Sequence, residues 1–106
     1  MRTVSRTSDE NPISIPRIQK AVADYYKLSV DGLRGRSNVG NVMVPRQVAM
    51  YLCKRLTTKS YPEIARQFGG KHHTTVIHSV EKINKLVESD REMDALVQRI
   101  ISAIGA

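Results

Sequence analysis

Apolar residues along the chain fall in short helical runs separated by turn residues. In ISIPRIQKAVADYYKL, from Ile13, the residues Ile18, Val22 and Tyr25 follow helical spacing, with Ser14 placed to cap and Pro16 in the first turn. Ser29 caps a short turn, VDGLRG, with Val30 and Leu33 facing inward. GRSNVGNVMV then breaks all periodicity. It predicts a loop rich in Gly and Asn with Arg34 and Arg36 at its start, and Pro45 in the first turn of the next helix. In RQVAMYLCKRL, Val48, Leu52 and either Met50 or Leu56 turn inward, while Arg46, Gln47, Lys54 and Arg55 fall mainly outward.

TTKS interrupts the pattern. Ser60 and Glu63 form an S-x-x-E capping box with Pro62 in the first turn, opening a short helix, YPEIARQF, that packs Ile64, Ala65 and Phe68. Gly69-Gly70 ends it, since glycine readily takes the left-handed conformation at a helix C-terminus. A longer helix is predicted from about Thr74 to Val87, with Val76, Val80, Ile83 and Val87 in one apolar stripe widened by Ile77 and Leu86. Ser89 and Glu92 form another capping box before a last helix lined by Met93, Leu96, Val97, Ile100 and Ile104. No segment alternates as a strand would, and no repeat is present. Met1 to Asn11 is polar and aperiodic and reads as a tail or linker. Residues 12–106 form the expected domain: a small all-α fold in which a short helix, a glycine turn and a longer helix make a helix-turn-helix.

Composition narrows what such a domain can do. A chain of 106 residues, 41% hydrophobic, supports one compact core. Aromatics are only 5% and Trp is absent, which argues against a single-strand binder built on stacked rings. The net charge of +7 is unevenly spread: residues 34–71 hold eight Lys/Arg against Glu63 alone, whereas the flanking thirds nearly balance. That excess points to a polyanionic partner, with a solvated basic face as the plainer account. Cys53, the only cysteine, cannot form an internal disulfide and fits a reducing, cytoplasmic setting as a buried thiol. No apolar run reaches membrane-span length, and no signal-peptide core opens the sequence.

The most unusual stretch is FGGKHHTTVIHSV, which holds all three histidines. Metal ligands on one helical face stand three or four residues apart; these histidines are spaced by one, five and six, with no Cys or acidic residue completing a set. No metal site is expected. Gly70-Lys71 imitates the end of a phosphate-binding loop, yet Ala65 stands where its first Gly belongs and His72 where Ser or Thr belongs. No acid is placed to orient a His or Thr base, so no catalytic residue is assigned. In a helix-turn-helix, by contrast, Lys71, His72, His73, Thr74 and Thr75 stand at the leading end of the helix that enters the major groove of DNA. Threonine methyls contact thymine methyls, histidine nitrogens meet base edges, and the helix start favours phosphate. The alternative reading makes Thr74 or Thr75 an ordinary N-cap and His78 a half-buried surface histidine; the local basic excess favours DNA.

PRQVAMYL followed by SYPEIARQFGGKHHTTVIHSVEKI closely resembles the C-terminal DNA-binding domain family of the bacterial replication initiator DnaA, over about Ile13 to Ile104. The family motif is G-G-R-D-H-T-T-V, with a second His and a basic residue farther along the helix. The resemblance implies monomeric binding of duplex DnaA boxes at an origin, within an assembly of initiator subunits. It assigns Lys71, His73, Thr74 and Thr75 to the recognition-helix start, and Arg46, Gln47, Lys54 and Pro62 to neighbouring contacts. It matches His78 and Lys82 to positions farther along the helix that approach the DNA backbone. It also implies an upstream ATPase module using ATP and Mg; no nucleotide motif lies in this chain, so no cofactor is expected here. Two departures stand out. His72 replaces the family's Asp, and the loop before Pro45 lacks the usual run of basic residues, leaving Arg36 as the minor-groove candidate, with Asn38 or Asn41 as substitutes. The remaining alternatives are a transcription regulator or transposase-type module binding palindromes as a dimer, and a protein-interaction module with an acidic partner. A histidine near phosphate gains charge on acidification, so duplex affinity is expected to rise as pH falls through the ordinary histidine range. Binding constants measured from pH 8 down to about 5.5 check this, and a flat profile removes phosphate proximity.

Overall fold

The computed structural model describes residues 13–35 and 40–105. Among these residues there are six helices and no strand: α1 Ile15–Tyr26, α2 Val30–Arg34, α3 Gly40–Leu56, α4 Tyr61–Arg66, α5 His73–Ser89 and α6 Arg91–Ile104. The all-α expectation therefore holds. None of these helices is long and apolar enough to cross a membrane. Arg36 and Asn38 lie outside the described residues, as does the proposed tail Met1–Asn11.

Local chemistry sets most helix ends. Ser14 stands in extended backbone and its Oγ accepts the Arg17 N–H at 3.3 Å; Pro16 sits in the first turn, where its missing donor is no loss. Ser29 accepts the Gly32 N–H at 2.9 Å and opens α2. On α1 the buried face runs through Ile15, Ile18, Gln19, Val22 and Ala23. Tyr25, expected inward, is 40% exposed. The stripe continues from Val22 by four residues to the half-buried Tyr26 instead, and Tyr25 meets its neighbour edge to face, with centroids 5.3 Å apart.

Helix α3 is the central element and packs on α1, α2, α4 and α5. Every residue from Val48 to Cys53 is buried, so this helix is apolar nearly all round, as a core helix is. Burial pushes the Cys53 thiol up to about 12, leaving it a small hydrophobe. Two expectations fail here. Pro45 lies inside α3 rather than in its first turn, because residues 40–44, read as loop, are helical. The helix forgoes the bond that an N–H at position 45 gives to the Asn41 carbonyl, and burial of Val42 and Pro45 offsets that loss. Arg46, expected outward, is only 5% exposed. Its Nε donates to the Leu33 carbonyl at 2.8 Å and its Nη2 to the Gly32 carbonyl at 3.1 Å, so the guanidinium caps the C-terminal end of α2. Desolvation lowers its pKa.

The last helix closes over α1 and α5. Asp90, not Ser89, caps α6: its Oδ1 accepts from Glu92 N at 2.9 Å and Met93 N at 3.3 Å. Ser89 ends α5 and donates its hydroxyl to the Lys85 carbonyl. Val97, Ile100 and Ile104 are buried as expected, and Arg17 Nη2 holds the Ile104 carbonyl at 2.5 Å.

Two substitutions test this packing. Phe68, at 0% exposure, is among the largest side chains in the core. Phe68→Ala is expected to lower stability by about 3–5 kcal/mol, read as a shift of the urea midpoint at unchanged slope. Arg46→Met keeps the apolar stem but leaves the α2 carbonyls without their donor, and is expected to cost about 1.5–3 kcal/mol in the same measurement. An unchanged midpoint means that the guanidinium does not hold α2.

Candidate nucleic-acid interface

The turn between α4 and α5 decides where the histidine stretch points. Ser60 Oγ accepts the Glu63 N–H at 3.3 Å and starts α4. At the other end, the Ala65 carbonyl accepts from the N–H groups of Phe68, Gly70 and Lys71 at 3.1, 3.2 and 3.2 Å. Gly69 and Gly70 follow at φ 81° and 72°, in the left-handed region that a side chain disfavours. Phe68 fills the core while the adjacent Gln67 carbonyl accepts Gln19 Nε2 at 2.7 Å and Arg34 Nε at 3.3 Å. The turn is thereby tied to α1 and α2.

Helix α5 starts at His73, and its N-cap is His72 rather than Thr74 or Thr75. His72 is extended; its Nδ1 accepts the Thr74 N–H at 3.2 Å and also meets Thr74 Oγ1. Imidazole is outside the usual cap repertoire of Ser, Thr, Asp and Asn, which is why the sequence pattern pointed to the threonines. The rings of His72 and His73 stack, with centroids 4.7 Å apart and planes 22° from parallel.

His72, His73, Thr74, Thr75, His78 and Lys82 are all exposed. Thr74, His78 and Lys82 are four residues apart and share one face of the helix. Val76, Ser79 and Ile83 form the buried face, with Val80, Leu86 and Val87 half-buried. Between α3 and the start of α5 lies a groove of about 360 Å³. It brings Arg46, Gln47, Lys71, His72 and Thr75 together from two helices and the turn. Lys82 crosses beside it, its Nζ donating to Gln47 Oε1 at 3.1 Å. Lys54 sits elsewhere on α3, with its Nζ 4.5 Å from the Tyr61 ring centroid and 3.4 Å from the Lys59 carbonyl, near the exposed Pro62. Arg46 lines the groove while two of its donors hold the α2 carbonyls.

Sequence reasoning missed Met43. It also lines the groove and is 46% exposed, beside Val44 at 40%. The visible signal was two adjacent apolar residues in a segment read as polar loop. Arg34 and Gln19 were likewise not recognised as supports of the turn. Among the described residues, no three His, Cys, Asp or Glu side chains come together as a metal site requires.

Residues 15–83 match the family described as the bacterial dnaA protein helix-turn-helix. The chromosomal replication initiator protein DnaA of Citrifermentans bemidjiense is 44% identical over 97 residues, 92% of this chain and 20% of that protein. The same protein of Enterococcus faecalis is 40% identical over 106 residues, the whole of this chain and 24% of that one. A crystal structure of a DNA replication initiation factor superposes with a TM-score of 0.74 at 32% identity, covering 85% of this chain and 27% of the other. The chain thus spans a fifth to a quarter of the length of these curated relatives. The match runs from the first helix through the glycine turn and most of α5, so the chain belongs to the bacterial DnaA helix-turn-helix family.

Proposed function

We propose that this chain binds double-stranded DNA sequence-specifically, at DnaA-box-type sites of a bacterial replication origin. The observation that carries the reading is the N-cap and first turn of α5: four consecutive polar residues, His72 to Thr75, are exposed at the start of the second helix of a DnaA-family helix-turn-helix. In this reading α5 lies in the major groove. His72, His73, Thr74 and Thr75 meet base edges, and Lys71 and the positive end of the helix dipole meet phosphate. Gln47, Lys54, Pro62, His78 and Lys82 flank the DNA backbone, and Arg36 reaches toward the minor groove. Arg46 serves from inside, by fixing α2 against α3. The chain acts on one asymmetric box as a monomer in the cytoplasm, and initiator partners join through other segments. Nothing in this reading asks these residues to bind ATP or Mg or to catalyse a reaction.

Titration of fluorescent duplexes at moderate salt tests this. Binding to a box-like site is expected at least about a hundredfold tighter than to a scrambled duplex. His73→Ala or Thr74→Ala should cost about 1–3 kcal/mol on the box and blunt discrimination. Lys54→Ala should weaken both duplexes alike. Equal losses on both duplexes for all three variants contradict this division of roles.

A further inference from the structure

The cap of α5 does more than start a helix. An amide N–H can only donate, so the contact from Thr74 N requires a lone pair on His72 Nδ1. In a neutral imidazole the proton then sits on Nε2. The stacked His73 ring restrains the imidazole plane, and the ring edge bearing Nε2 lies away from the capped amide. His72 is exposed at the groove beside Lys71 and Thr75. Among the described residues Nε2 has no hydrogen-bond partner. The Thr74 hydroxyl, which also meets Nδ1, can donate to the same lone pair, and in this tautomer the molecule offers a donor at the leading tip of the helix.

An ionised Asp, which the resembled family motif carries at this position, caps just as well but behaves oppositely. Its remaining lone pairs only accept. In the major groove cytosine shows an amino donor, guanine shows the acceptors O6 and N7, thymine shows O4, and adenine shows both kinds. An acceptor at the helix tip suits cytosine or adenine; a donor suits guanine, with two acceptors, above thymine or adenine with one each, and excludes cytosine.

We propose that His72 is a specificity-determining residue that reverses the hydrogen-bond polarity at one base pair, selecting guanine and rejecting cytosine. This rests on the duplex-binding reading above.

The test is selection of duplexes from a randomised pool by the full chain and two variants. His72→Asp retains a cap and turns the free side into an acceptor. His72→Asn caps through its carbonyl oxygen and keeps amide donors. The parent and His72→Asn are expected to select guanine at one position, and His72→Asp to select cytosine or adenine there. Each should disfavour the opposite base by about ten- to a hundredfold, with the rest of the site unchanged. The same selected sequence from all three overturns the inference while leaving duplex binding intact. Selection of no sequence by any of the three removes duplex binding itself, and the inference with it. Independently of DNA and of either variant's folding, nitrogen NMR of the imidazole should find Nδ1 bare and Nε2 protonated in the neutral ring. The opposite tautomer overturns the proposal.

Discussion

The polar face of this domain depends on the backbone between Ala65 and Lys71. One carbonyl, that of Ala65, gathers three amide donors, and two successive glycines in the left-handed region turn the chain out of α4. Without that turn, Lys71 to Thr75 would continue the path of a helix that ends two residues before Phe68, which is committed to the core. The constraint is double. Phe68 must go in, and the residue three positions later must come out. Bonds from Gln19 and Arg34 to the Gln67 carbonyl then fix the turn to the rest of the fold.

This part of the structure was legible in the sequence because its causes are local. Ser60, Pro62, Glu63 and Gly69-Gly70 each act within a few residues of themselves. The misjudged features have distant or unusual causes. Arg46 reads as a surface cation by type, and only carbonyls 13 and 14 residues earlier make it a buried clamp. Pro45 reads as a helix start, but the burial of Val42 and Pro45 belongs to packing, not to spacing. Ser89 and Asp90 are rival caps one residue apart, and no pattern ranks them before the helix angle is known. His72 escaped because imidazole caps so seldom. Position 36 lies outside the described residues, so the loop assignment stands as a reading of the sequence.

Counting cations overstates what the middle of the chain can offer a polyanion. Arg34 is engaged at the Gln67 carbonyl and Arg46 at the end of α2. Lys54 lies over Tyr61, and Arg55 bonds to the Tyr51 hydroxyl at 3.0 Å. Several of the eight charges that drew attention in the sequence therefore also serve the fold. A solvated ion pair or ring contact of this kind is weak and can be exchanged for phosphate, whereas the buried guanidinium cannot be. Position along α3 thus separates a structural cation from recruitable ones, although all look alike as letters.

The Arg46 clamp has one more consequence. It grips main-chain oxygens, which every residue type supplies, and asks nothing of the side chains that follow. The clamp itself therefore sets no condition on which side chains stand at positions 36–39. A substitution at those positions removes neither main-chain oxygen, so the end of α2 keeps its mooring to the guanidinium.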